Sequence, residues 1–183
     1  IDISSGARTS AISVDMIQDM ECKFTIIGHS ERRNIFDESN KTISAKLDSV
    51  GSKVATILCI GESAEENKSK NTKNVLKQQL SVIKGKILSS SFSVAYEPVW
   101  AIGTGNTPTP DEINDIHKFI KDVVQSSTEN SIVPNVLYGG SVNDANAESF
   151  FKADNVDGAL IGGASLQGKS FANIVNIFNG KAI

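Results

Sequence analysis

Apolar residues gather in short runs at 23 to 28, 54 to 60, 92 to 96, 135 to 138 and 157 to 161, and segments of longer period separate them. Runs of strand length alternating with amphipathic helical stretches predict βα units around a parallel sheet. The helix signals are local. Thr109-Pro110-Asp111-Glu112 offers an N-cap, a proline at the first helical position and a capping-box glutamate, and Ile113, Ile116, Phe119, Ile120 and Val123 then form one apolar face. Ser39 is placed to cap a helix with Ile43, Leu47 and Val50 inward, and Val75, Leu76, Leu80, Ile83, Ile87 and Leu88 predict one longer helix. Polar residues 61 to 73 suit a βα loop carrying a short helix. Because the polar and glycine-rich motifs all follow strands, they share one rim. The pattern favours a (β/α)8 barrel, incomplete at its N-terminal βα units, over an open Rossmann-like sheet. Residues 1–183 read as a single domain, roughly three quarters of such a barrel.

Composition narrows the function classes. With 39% hydrophobic and 21% charged residues the chain reads as a soluble globular protein, and its apolar runs are too short to span a membrane. A formal charge of −3 and the lack of a basic stripe argue against nucleic acid as a partner. Lys68, Lys70 and Lys73 read as a solvated helix face. Cys22 and Cys59 form no disulfide framework, and no Cys/His spacing suggests a metal site. No targeting peptide precedes the first strand, which together with the two cysteines suggests a cytoplasmic protein; the sequence opens on Ile1 without an initiator methionine.

The chemistry concentrates in strand-end motifs. In Ala95-Tyr96-Glu97-Pro98-Val99-Trp100-Ala101-Ile102-Gly103-Thr104-Gly105, Glu97 ends a buried strand and Pro98 ends its pairing. Gly103 and Gly105 supply hinges, so Glu97 is a candidate base beneath a closing loop, or, in the plainer reading, a strand-end residue that caps the next helix. In Gly28-His29-Ser30-Glu31-Arg32-Arg33 a strand delivers His29 to the same rim, and helix-start N–H groups from Ser30 and Glu31 would disfavour an imidazolium. Glu31 and Arg32 read as a bracing ion pair, Arg33 as a second brace, and His117, inside a helix, as a surface or boundary residue. Tyr138-Gly139-Gly140-Ser141 and Leu160-Ile161-Gly162-Gly163-Ala164-Ser165 each follow a strand, and glycine loops of this kind bring backbone amides close to an anion such as phosphate. Ser141 adds a hydroxyl, and Tyr138 is a wall residue or a latch for the loop.

Taken together, GHSERR at 28 to 33, CIGE at 59 to 62, AYEPVWAIGTG at 95 to 105, YGGS at 138 to 141 and DGALIGGAS at 157 to 165 resemble the triosephosphate isomerase family, from about Ser5 to the C-terminus. The resemblance implies an incomplete TIM barrel that interconverts dihydroxyacetone phosphate and glyceraldehyde 3-phosphate through an enediolate, in the complete protein. It implies Glu97 as general base, His29 as neutral electrophile, residues 98 to 108 as the lid, and Gly103, Ser141, Gly162 and Gly163 as phosphate contacts, with Ser30, Glu31 and Tyr138 in support. The pairing of a Glu base with a neutral His is thus an expectation taken from the family, not from the residues alone. The resemblance implies neither metal nor organic cofactor, and its implied partners are a small phosphorylated triose and, for the complete protein, a second copy in a homodimer.

Three departures stand out. The family's first strand ends in a loop with an Asn and a Lys that bind the charged substrate, and no residue of this sequence replaces that Lys. Ser10-Ala11, after Thr9, stands where the family usually has Gly-Glu or Gly-Asp in its interdigitating loop. Pro108 occupies a lid position whose N–H in many relatives meets the hydroxyl matching Tyr138, and proline has none to give. Two rivals follow: another phosphate-binding barrel isomerase or lyase, which shares the glycine loops without demanding His29 and Glu97, and an inactive truncated relic or interaction protein.

Overall fold

Strand register explains where the core lies. A computed structural model describes Ala7, residues 9 to 103 and residues 105 to 181. Among these residues five parallel strands, β1 (Phe24–Ile27), β2 (Ala55–Ile60), β3 (Ser93–Tyr96), β4 (Asn135–Tyr138) and β5 (Gly158–Ala159), pair in sequence order. Parallel crossovers are right-handed, so consecutive neighbours place every intervening helix on one side, the winding of a barrel wall. A doubly wound sheet needs a reversal of strand order, and none occurs among the described strands.

The helices are α1 (Val14–Asp19), α2 (Ser30–Ile35), α3 (Asn40–Val50), α4 (Ala64–Lys68), α5 (Thr72–Leu80), α6 (Pro110–Ser127), α7 (Ala147–Phe151) and α8 (Gly168–Lys181). The expected caps form: the Ser39 side chain accepts from Thr42 N, and Thr109 and Glu112 close a capping box on α6 with Pro110 at its start. A second capping box, Ser63 with Glu66, starts α4. The helix expected to run to Leu88 stops at Leu80 and passes through a 3₁₀ turn, Ser81–Ile83. Gly85 then turns the chain at φ +68, and Ile87 is left exposed while Leu88 packs on the core. Helix α1 follows no periodic signal in the sequence and is held by Ser13, whose side chain accepts from Met16 N.

One face of the sheet carries Ile27, Leu58, Val94 and Val136 in a single register row, all buried against the helices. The next row of that face, with Tyr96 and Tyr138, reaches His117 of α6 and Phe150 of α7. The opposite face is also apolar but open at its first strand, where Phe24 and Ile26 are 59% and 48% exposed. No helix among the described residues is long and apolar enough to cross a membrane.

His117 is not at the surface. It stands with Ile113, Ile120 and Val124 on the buried face of α6, and its Nδ1 lies 3.3 Å from the Asn155 carbonyl oxygen. Burial drives its pKa down to about 4, against the opposing pull of that carbonyl. Because the folded value lies below the unfolded one, the unfolded chain takes up the extra proton as pH falls. Stability from the neutral ring is therefore complete above about pH 6.5 and is lost between there and about pH 4, an effect of about 3 kcal/mol. Urea unfolding at pH 7 and pH 4.5 checks this: the midpoint should fall clearly less in His117→Phe than in the parent, and equal losses would reject the assignment.

Candidate active site

Four strand ends converge on one cleft. Beyond β3, Glu97 continues the ladder by donating its N–H to the Ile60 carbonyl at 2.8 Å, and Gly139 does the same to Tyr96 at 2.7 Å. Glu97 is thereby fixed on the backbone between the ends of β2 and β4, and it is 2% exposed. The space around it is kept by glycines: a Cβ on Gly61 would lie 1.7 Å from the Glu97 carbonyl oxygen, and one on Gly139 2.8 Å from Glu97 Cγ. Gly61→Ala should therefore force β2 and β3 apart at the rim, costing about 3 kcal/mol as an overpacked site and displacing Glu97. A denaturation midpoint within error of the parent would show that the strands part without cost.

The Glu97 carboxylate is held by three groups. His29 Nε2 is 2.9 Å from Oε1, Ser30 N donates to Oε2 at 3.0 Å, and Ser30 Oγ donates to Oε1 at 3.4 Å. Cys59 is wholly buried nearby; burial first and the Glu97 charge second push its pKa up, so it stays a thiol. His29 Nδ1 accepts from Glu31 N at 3.3 Å as α2 begins. An imidazolium has no lone pair to accept there, so this bond selects the neutral ring with its proton on Nε2. The Glu97 hydrogen bond pulls the other way and raises the His29 pKa, opposed by burial and aided by the Glu31 charge. The neutrality expected from the helix start alone is thus contested by the carboxylate beside it.

A cleft of about 500 Å³ gathers His29, Glu31, Glu97, Gly103, Ser141, Gly162 and Gly163. Ser141 joins the strand-end loop to the loop after β3: its hydroxyl accepts from Gly103 N at 3.2 Å and donates to the Ala101 carbonyl at 2.6 Å. Gly103 and Gly105 take φ of +67 and +77, the conformation that suits a hinge and penalises other residues. Gly162 and Gly163 line the far wall, where Gly163 opens a 3₁₀ turn, Gly163–Leu166, ahead of α8. The described residues that line the cleft include no Lys or Arg.

Several residues fall elsewhere. Ser30 supports Glu97 from a buried position. Tyr138 is not among the residues that line the cleft: its ring packs on Phe150 at 4.6 Å, and its hydroxyl is buried without a hydrogen-bond partner among the described residues. Gly140 makes room for that hydroxyl, which a Cβ would approach to 2.2 Å. Arg32 pairs with Glu38 at 2.6 Å, not with Glu31 as expected, because α2 sends it toward the loop before α3. Arg33 does brace the rim, donating to the carbonyls of Gly28 and Cys59. Thr9 and Ser10 are exposed, and Ser10 takes φ +70, a cost that the usual glycine would avoid. Thr104 of the loop and Gly6 and Arg8 of the N-terminal motif lie outside the described residues.

Glu62 received no individual role from the sequence, yet it anchors the start of the loop. It is fully buried and accepts from Tyr96 OH at 3.0 Å, Trp100 Nε1 at 2.9 Å and Asn67 Nδ2 at 3.1 Å, while its carbonyl accepts from Val99 N at 3.0 Å. The signal was present in the CIGE run, though without a partner to point to.

A sequence model described as triosephosphate isomerase matches residues 2–178. Among curated relatives, the triosephosphate isomerase of Legionella pneumophila (strain Paris) is 41% identical over 178 residues, covering 95% of this chain and 72% of the relative. That of Chlamydia felis (strain Fe/C-56) is 43% identical over 180 residues, with 96% and 71% covered. That of Nitratidesulfovibrio vulgaris (strain DSM 19637 / Miyazaki F) is 41% identical over 178 residues, with 94% and 71% covered.

Proposed function

Since the chain belongs to the triosephosphate isomerase family, and so to the isomerases, we propose that its cleft interconverts dihydroxyacetone phosphate and D-glyceraldehyde 3-phosphate. The observation that carries this reading is the Glu97–His29 contact, 2.9 Å, at the mouth of a cleft whose other walls are glycine loops. Glu97 removes a proton from the carbon beside the carbonyl and returns it to the neighbouring carbon. His29 Nε2–H polarises the carbonyl and passes protons between the two oxygens of the enediolate, using the tautomer that the Glu31 N–H selects. The phosphate takes the place that Gly103 N, Ser141 Oγ and the turn at Gly162 and Gly163 surround.

For this to occur Glu97 exchanges partners. In the present arrangement its carboxylate is occupied by His29 and Ser30, so substrate binding must draw it forward out of those bonds. Closure of residues 98 to 108 over the cleft supplies the driving force by excluding water and strengthening the remaining electrostatics. The protein's own contribution is positioning and a dry site; the substrate carbonyl is the electron sink. The relic reading draws support from the cleft's lack of a cation among its described lining residues. Turnover of dihydroxyacetone phosphate by the protein expressed from its native reading frame decides between them, and no turnover would reject the isomerase assignment.

The lid latch gives a further expected result. Tyr138 OH has no partner among the described residues and Pro108 has no N–H, so the closing hydrogen bond that many relatives make is lacking. Pro108→Ala restores a donor and should lower the ratio of methylglyoxal, the product of phosphate loss from the enediolate, to isomerised product. An unchanged ratio would show that closure here does not depend on that bond.

A further inference from the structure

A second cleft, of about 480 Å³, lies outside the catalytic one, between the α4–α5 corner and the first turns of α6. Its apolar wall includes Trp100 and Ile116, and it touches both ends of the loop that follows β3, Trp100 at the start and Pro108 at the finish. The Trp100 indole is fixed by its N–H bond to Glu62 at 2.9 Å, and the Lys73 ammonium sits 5.4 Å from the centre of the Phe119 ring. Charge is divided across the cleft. Lys70 and Lys73 stand on the α5 side and Asp115 on the α6 side, and neither Lys70 nor Asp115 has an ion-pair partner among the described residues. Glu112, also on the α6 side, is engaged by its cap at Thr109.

We propose that this cleft binds a planar aromatic anion carrying an N–H donor, with the ring against Trp100 and Ile116, the anionic group toward Lys70 and Lys73, and the donor toward Asp115. The Trp100 ring offers van der Waals contact to a planar ligand, and Lys73, which lines the same cleft, supplies the charge. Neither cation takes part in the isomerisation described above. A ligand that fills the cleft contacts both ends of residues 98 to 108 and holds them in the present arrangement, so it opposes lid closure, and by linkage bound substrate opposes the ligand. That consequence rests on the lid reading; the binding site itself does not.

Trp100 is the chain's single tryptophan, which makes the site directly readable. The probe is 1-anilinonaphthalene-8-sulfonate, which has the aromatic rings, the anion and the N–H. Its titration into the protein is expected to saturate at one equivalent with loss of Trp100 emission by energy transfer. Exposed Lys70→Ala and Lys73→Ala should each weaken binding about threefold, and roughly tenfold together, while Ile116→Arg should abolish it. No transfer from Trp100, or a titration that the two lysine variants leave unmoved, would overturn the site. Saturating probe should also lower isomerase turnover in the parent and not in the double lysine variant; binding without that loss would overturn the coupling to the lid and leave the site standing.

Discussion

Shortening Glu97 by one methylene is expected to lower kcat by about a hundredfold with little change in KM, because a displacement of about 1 Å from the reacting carbon costs that much in rate. The fold gives the carboxylate little room to compensate. Its backbone is tied to Ile60 by the ladder, Gly61 and Gly139 leave no slack on either side, and Ser30 N at 3.0 Å competes for the shorter side chain. Glu97→Asp should therefore be a defect in the transition state, seen equally in kcat and kcat/KM. Steady-state kinetics with dihydroxyacetone phosphate provide the check, and a variant with parental kcat would remove Glu97 from proton transfer.

His29→Gln should cost about 10²- to 10⁴-fold in kcat, the usual worth of a positioned acid–base group. Glutamine keeps a donor that can reach the carbonyl but cannot pass a proton between two oxygens. The variant also carries a pH signature that a merely structural residue would not. In the resting site the Glu97 hydrogen bond raises the His29 pKa, so a fall in pH charges the ring and strengthens its hold on the carboxylate. The parent's kcat/KM should thus decline on the acid side as Glu97 is trapped against His29. In His29→Gln that decline should move to lower pH. An acid limb at the same pH in both proteins would show that the pair does not restrain the base.

Much of this arrangement is legible in the sequence because barrel strands carry their chemistry at their ends. Strand runs, the caps at Ser39 and Thr109, and the glycine loops are local signals, and each formed where its residues required it. What escaped depends on partners distant in sequence. His117 reads as a polar residue in a helix, and only the packing of α6 on Tyr96 and Asn155 makes it a buried one. Arg32 chooses Glu38 over its neighbour Glu31 because consecutive residues on a helix diverge. Gly61 looks like an ordinary strand-end glycine until the Glu97 carbonyl is seen where a Cβ would stand. Glu62 carries no local sign that it will receive Tyr96 and Trp100 from the next strand. The cleft residues were nameable from their motifs; their grip on one another was not.

The central claim is that one carboxylate, Glu97, carries a proton between adjacent carbons of a triose phosphate. The direct measurement is proton NMR of dihydroxyacetone phosphate turned over in D₂O by the protein from its native reading frame and by its Glu97→Gln variant. The account predicts glyceraldehyde 3-phosphate in which C2 carries deuterium from solvent in most molecules and protium transferred from C1 in the remainder, with both lost in Glu97→Gln. Product that retains all of its C1 hydrogen at C2 with no deuterium, or equal turnover by the two proteins, would contradict it.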